Sequence, residues 1–239
     1  MSGRVKAASR EHRLVLIRHG RSAWNITDRF TGWTDIALDA VGLEEAAAAG
    51  RRLVKAGIAC DEAHVSVLQR TRQTAEALAA AAGWGVLPIH ETWRLNERHY
   101  GALQGMNKQE IFAAWGEEKS RRWWRGYTEP PPALDRLDPR HPCHDLRYDD
   151  LDPALLPATE SLRDCQQRML PYWHEVMRPR LADGRCLLVA SHGNTLRALV
   201  MHLDGLSPEA MEHVEIPSGV PLVYRFAPGL QVLDRQWLS

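Results

Sequence analysis

The chain has 239 residues and no formal net charge, with 30 lysines and arginines against 30 aspartates and glutamates. That balance creates no global field to draw the protein onto nucleic acid or anionic lipid, so any anion site must be local. The length suffices for one substantial α/β domain, and no apolar run approaches the ~18 residues of a membrane span, which predicts a soluble, cytoplasmic protein.

In chain order, residues 1–12 are polar and basic, with no apolar stretch of the kind a signal peptide needs, and read as a disordered tail ahead of one domain over 13–239. Leu14–Ile17 is a short aliphatic run, the pattern of a buried strand. Asp39 caps an alanine-rich helix that ends at Gly57. A strand over Ala63–Leu68 leads into a helix that stops at Gly83, and a third strand follows over Val86–His90. The segment from Asn107 to Tyr127 reads as one helix running into a turn-rich stretch, Thr128–Pro157. Seven of the 14 prolines lie in that stretch and forbid regular structure there, so an insertion over about 107–157 is expected to act as a lid. Thr159–Met177 is helical with Pro171 kinking its middle, Cys186–Ala190 is a strand, and Asn194–Gly205 is a helix. Val220–Phe226 and Leu230–Trp237 complete the strands. Alternating strands and helices of these lengths predict an α/β fold with helices around a mostly parallel central sheet. The four cysteines are widely spaced without a C-x-x-C pair, and read as reduced thiols.

Two of these strands end alike: "LVLIRHGRS" from Leu14 and "LLVASHGNT" from Leu187 share four small or aliphatic residues, a polar residue, His-Gly, a polar residue and a hydroxyl. Ligand crevices of open parallel sheets lie at the carboxyl ends of the strands. His19 and His192 are therefore expected to meet in one crevice. Arg18, beside His19, is a fixed cation that requires an anion, and phosphate suits the planar fork of a guanidinium best. Arg70, at a helix start just past a strand end, adds to the clamp. Phosphoryl transfer also needs a group that takes and returns a proton. Glu97, flanked by Arg98, His99 and Tyr100 ahead of a glycine-rich turn, is the candidate, because repulsion from a phosphate suits a carboxylate that alternates between acid and base. Neighbouring Arg18 and Arg70 disfavour the imidazolium of His19 and leave it free to act as nucleophile, with a phosphohistidine intermediate. "HPCH" at residues 141–144 is too small a cluster for a closed zinc set.

These motifs, with "SAWN", "RFTGWTDIAL", "VSVLQR", "RLNERHYGALQGMNK", "EPPPAL", "LPATESL" and "IPSGVPLVY", resemble the 2,3-bisphosphoglycerate-dependent phosphoglycerate mutases of the histidine phosphatase superfamily over about Leu14 to Leu238. The resemblance implies a three-layer α/β/α, phosphoglycerate mutase-like fold. It implies His19 as the phosphorylated nucleophile, Arg18, Arg70 and His192 as phosphoryl-binding groups, and Glu97 as proton donor and acceptor. Asn25, Thr31, Gly32, Tyr100, Lys108, Arg125 and Asn194 match positions that hold phosphoglycerate or phosphate. It further implies 2,3-bisphosphoglycerate as priming donor, no metal, small phosphoglycerates as the ligands, no nucleic acid or membrane partner, and a homodimer or homotetramer.

Several residues depart from the family pattern. Arg21 follows "RHG" where the family carries Glu or Gln, and Trp124 replaces the first arginine of a substrate clamp, for which Arg21 or Arg122 is available to compensate. The sequence stops at Ser239, without the C-terminal extension many mutases lay over the site, and "RTRQTAE" is closer to the phosphatase branches. These features keep open a histidine phosphatase acting on small phosphomonoesters, and a non-catalytic homologue that only binds a phospho-ligand.

Overall fold

A computed structural model describes residues 12–239; residues 1–11 of the expected tail lie outside the described residues. The first strand, β1 (His12–Arg18), already includes the last residue assigned to that tail. The remaining strands are β2 (Glu62–Val65), β3 (Ile89–Glu91), β4 (Leu187–Ser191), β5 (Leu222–Phe226) and β6 (Val232–Trp237). They form one sheet in the order β3-β2-β4-β1-β5-β6. Pairings from β3 through β1 are parallel, and β5 and β6 are antiparallel additions on one edge.

Side-chain alternation along the strands builds two cores, one on each face of the sheet. Leu14, Leu16, Leu187 and Val189 point to one face, where they pack under α6 (Leu162–Tyr172), α7 (Arg178–Ala182) and α8 (Gly193–Asp204). Val15, Ile17, Leu188 and Ala190 point to the other, under α2 (Ala40–Lys55) and α3 (Gln69–Ala82). The expected three-layer α/β/α arrangement follows from that division. Asp39 starts α2 by accepting the Gly42 N–H at 2.7 Å. The small face of α2 lets it approach α3 so closely that a Cβ on Gly50 would lie 2.2 Å from the Leu78 carbonyl oxygen. Gly83, at φ +68°, ends α3.

Several segments differ from the sequence reading: β2 and β3 run over Glu62–Val65 and Ile89–Glu91 where strands were expected over Ala63–Leu68 and Val86–His90. Asn107–Tyr127 is two helices, α4 (Lys108–Trp115) and α5 (Glu117–Arg125), because Gly116 takes φ +80° and turns the chain. Beyond Pro171, α6 passes into a π-helical turn over Trp173–Met177 before α7. Two short helices were not expected, α1 (Ala23–Ile26) and α9 (Pro208–Glu212). Residues 128–157 fold as loops and three single 3₁₀ turns held from below by Tyr148, whose hydroxyl accepts from Asn96 Nδ2 at 2.9 Å. Among the described residues no helix is long and apolar enough to cross a membrane.

Candidate active site

β1 and β4 are neighbours, and their register sets Leu14 opposite Leu187 and Arg18 opposite Ser191. The same offset carries one residue further to His19 and His192. The His19 N–H donates to the Ser191 carbonyl at 2.9 Å, and the two imidazole centroids are 5.1 Å apart. The expectation that both histidines reach one end of the sheet therefore follows from strand register. A cavity of about 200 Å³ opens above these strand ends.

His19 Nδ1 lies 2.8 Å from the Gly20 carbonyl oxygen. A carbonyl can only accept, so Nδ1 carries the proton and Nε2 keeps its lone pair. Burial, then the charges of Arg70 and Arg18, hold the His19 pKa well below 6.5, so the ring is neutral at physiological pH. His192 is fully buried behind it and is not among the residues lining the cavity. Its Nδ1 accepts from Arg70 Nε at 3.2 Å, which leaves Nε2 to donate to Ser66 Oγ at 2.9 Å. Burial and Arg70 keep this ring neutral as well. In this arrangement His192 is a link between Arg70 and the end of β2, with both ring nitrogens committed.

Arg70 is fully buried and braced from three sides: Nε on His192, Nη1 on the Thr34 carbonyl at 2.9 Å, and Nη2 on the Gly32 carbonyl at 2.8 Å. Burial lowers its pKa to about 10, partly offset by Glu97 and Asp35, so it remains a cation. Arg18 donates from Nη1 to the Ile216 carbonyl at 3.1 Å, while its buried Nε has no partner among the described residues. An orphaned guanidinium donor at the wall of a cavity is what an arriving oxyanion would satisfy.

Glu97 is fixed by its backbone surroundings. Its Oε1 accepts the N–H of Arg98 at 2.8 Å and of Asn194 at 3.2 Å. Its carbonyl accepts Trp33 Nε1 at 2.6 Å and Arg168 Nη2 at 3.1 Å. Arg168 pairs with Glu160 at 2.6 Å inside the protein, and Glu160 also accepts the His99 N–H, so one buried ion pair ties both sides of Glu97 to α6. Asn194 Nδ2 donates to the Tyr100 hydroxyl at 2.8 Å, which leaves the tyrosine proton for a ligand.

At the outer end, Trp124 lies between two cations, Lys108 Nζ at 5.5 Å and the Arg125 guanidinium at 4.6 Å from its ring. Lys108 pairs with Asp28 at 2.6 Å and Arg125 with Glu215 at 3.0 Å. Asn25 reaches the cavity from α1, with Oδ1 taken by Ser22 N–H and Oγ, and Thr31 and Gly32 come from the following loop.

All the sequence-derived candidates except His192 therefore line the cavity: Arg18, His19, Asn25, Thr31, Gly32, Arg70, Glu97, Tyr100, Lys108, Arg125 and Asn194. Sequence reasoning missed Arg29, Arg197 and Glu215. Arg197 follows Asn194 by three positions on α8 and holds its Oδ1 at 3.0 Å, a spacing that could have revealed it. Neither proposed substitute for the clamp arginine reaches the cavity. Arg21 is held by Asp39 at 2.8 Å, and Arg122 faces Glu118 and Glu129. No residue of 128–157 lines the cavity; the insertion contributes through Lys108, Trp124 and Arg125 instead. In "HPCH", His141 Nδ1 accepts the Cys143 N–H and His144 Nε2 bonds the Arg136 carbonyl. Six cations against two carboxylates make a strongly positive pocket in a chain of zero net charge, able to bind a compact phosphorylated anion and to pass a phosphoryl group to a neutral imidazole.

Comparison with known proteins gives the family and the fold. The model of the histidine phosphatase superfamily (branch 1) matches residues 14–236. A 2,3-bisphosphoglycerate-dependent phosphoglycerate mutase from Nitratidesulfovibrio vulgaris is 51% identical over 228 residues, covering 95% of this chain and 92% of that protein. Among solved structures, one described as mycobacterial hydrolase 1 superposes with a TM-score of 0.70 at 22% identity, covering 95% of this chain and 97% of that one. YhfR of Bacillus stearothermophilus gives 0.69 at 22%, over 92% and 93%. A mycobacterial glucosyl-3-phosphoglycerate phosphatase gives 0.66 at 24%, over 89% and 92%. At these identities the structures establish the fold alone.

Proposed function

Because the chain belongs to the histidine phosphatase superfamily, branch 1, we propose that it interconverts 3-phosphoglycerate and 2-phosphoglycerate through a phosphohistidine at His19. The observation that carries the choice of reaction is the 51% identity to a phosphoglycerate mutase along 95% of the chain. The geometry supports the chemistry. His19 Nε2, unprotonated and facing a cationic cavity, is the nucleophile toward phosphorus. Arg18 and Arg70 neutralise the oxygens of the transferring phosphoryl group, and His192 keeps Arg70 aimed. Glu97 gives a proton to the oxygen that loses the phosphoryl group and takes one from the hydroxyl that receives it. Tyr100, Asn25, Thr31, Gly32 and Asn194 orient the glycerate, with Lys108 and Arg125 toward its carboxylate end.

The cavity suits 2,3-bisphosphoglycerate, whose negative charge is complementary to the six cations, Arg18 with its orphaned Nε among them; when bound, it supplies the phosphoryl group that primes His19. No metal enters this scheme. The reading carries with it a cytoplasmic homodimer or homotetramer.

The test is to incubate the protein with 3-phosphoglycerate, with and without a trace of 2,3-bisphosphoglycerate, and to follow 2-phosphoglycerate and free phosphate together. Isomer formation stimulated by the bisphosphate is expected, with loss of activity in His19→Ala. Release of phosphate without isomer would refute the mutase and leave a phosphatase. Tight binding with neither product would leave a binding protein.

A further inference from the structure

Cys60 and Cys186 are 126 positions apart in the chain, yet their sulfurs lie 3.7 Å from each other. The parallel pairing of β2 and β4, with Glu62 opposite Leu187, brings the two segments that lead into these strands side by side. They meet at the end of the sheet away from the active-site cavity. The meeting is pinned by two hydrogen bonds, one backbone and one to a side chain: the Asp61 N–H donates to the Cys186 carbonyl, and the Cys186 N–H donates to Asp61 Oδ2, each at 2.8 Å. Both side chains belong to the apolar cluster under α2 and α3, Cys60 at 7% exposure and Cys186 partly open to solvent. Bonded sulfurs are about 2.05 Å apart, so an approach of about 1.7 Å, within reach of side-chain rotation, would join them. The other two thiols have different neighbours: Cys165 faces Thr195 and Arg168, and Cys143 faces the Arg136 carbonyl.

We propose that Cys60 and Cys186 form a reversible redox site that a hydroperoxide converts to a disulfide. Cys186, the more accessible sulfur, reacts first as the thiolate. It attacks one peroxide oxygen, the O–O bond breaks, and the departing hydroxide takes the proton the thiol released, leaving a sulfenic acid on Cys186. Cys60, whose thiol is held well above the usual range by burial, stays protonated until that step. Its sulfur then displaces the sulfenic oxygen, which leaves as water with the Cys60 proton, and the S–S bond forms. Two thiols and one hydrogen peroxide thus become one disulfide and two waters.

The crosslink closes a loop of 126 positions that contains Arg70, Glu97, Lys108 and Arg125 and excludes His19 and His192. A constraint on so long a loop acts mainly on the unfolded chain and is expected to raise Tm by about 5 to 15 °C.

The full chain is to be treated with hydrogen peroxide or kept in dithiothreitol, then denatured, alkylated and digested for mass spectrometry. The expected product is a peptide pair joined through Cys60 and Cys186, lighter by two hydrogens than the sum of its thiol forms and returned to them by dithiothreitol. Oxidised protein should show the raised Tm. Cys186→Ser and Cys60→Ser should each abolish the crosslink and the shift, whereas Cys143→Ser should keep both. Recovery of Cys60 and Cys186 as separately alkylated residues after oxidation would overturn the proposal. So would accumulation of Cys186 sulfinic acid without a crosslink, or pairing of either residue with Cys143.

Discussion

Lowering the pH from 7.5 to 5 should weaken this protein severely, because it buries neutral imidazoles. His19, His64, His99 and His192 are each 5% exposed or less. Burial leads the causes that lower their pKa values, to about 4 for His64, about 3 for His99, and well below 6.5 for His19 and His192. In the unfolded chain all four titrate near 6.5. Between 6.5 and the lower folded values the unfolded state holds more protons, so stability falls as pH falls. It is fully present above 6.5 and lost progressively below it. At pH 5 His64 and His99 each cost about 2 kcal/mol, together on the order of 4 kcal/mol, and the burial of neutral His19 and His192 adds to that loss, against the roughly 5–15 kcal/mol of a typical domain. Urea unfolding at pH 7.5, 6.5, 5.5 and 5 measures the slope. In His99→Gln the loss between pH 7.5 and 5 should shrink by about 2 kcal/mol. Stability that stays constant or rises toward pH 5, or imidazole NMR signals that titrate near 6.5 in the folded protein, would refute the reasoning.

Three substitutions probe the site itself. Glu97→Gln keeps an oxygen for the Arg98 and Asn194 amides but cannot exchange a proton, and kcat for isomer formation should fall by about 10²- to 10⁴-fold with KM little changed; a kcat within tenfold of the parent excludes Glu97 as the proton carrier. Trp124→Ala removes the ring that holds Lys108 and Arg125. Two cation–π contacts of about 0.5–1 kcal/mol each correspond to a rise of about 5- to 30-fold in KM for 3-phosphoglycerate, and an unchanged KM would show that the ring does not organise those cations. Gly20→Ala places a Cβ 2.1 Å from the Gly42 carbonyl oxygen. Both groups are backbone, so urea unfolding should report a loss of about 2–4 kcal/mol; a variant of parental stability would mean that α2 moves freely away from the His19 turn.

Much of this was legible in the sequence where chemistry and local pattern agree. The aliphatic runs before His19 and His192 marked buried strands, and their equal length to the His-Gly pair anticipated the register that places both rings at one height. Asp39 and Gly83 marked helix ends because capping is a local property. The break at Gly116 was not legible, since an isolated glycine is tolerated inside a helix and the turn is set by how α4 and α5 pack. Nor was the burial of His192, because which nitrogen a ring commits, and to what, depends on Ser66, just past β2, and Arg70 on α3, which sequence distance hides. Arg21 and Arg122 could be counted as cations, but only the fold shows that Asp39, Glu118 and Glu129 hold them elsewhere. Glu215 lies one residue ahead of the quoted IPSGVPLVY, and only the fold shows that the start of this segment reaches the cavity.

The double acceptance at Glu97 Oε1 determines where a proton can sit on that carboxyl group. An oxygen already facing two amide hydrogens has no room to become a hydroxyl, so the acid form must carry its hydrogen on Oε2. The group is thereby single-handed: delivery and retrieval happen through one atom with one direction of approach, and successive substrates must offer their exchanging oxygens to that same point in space.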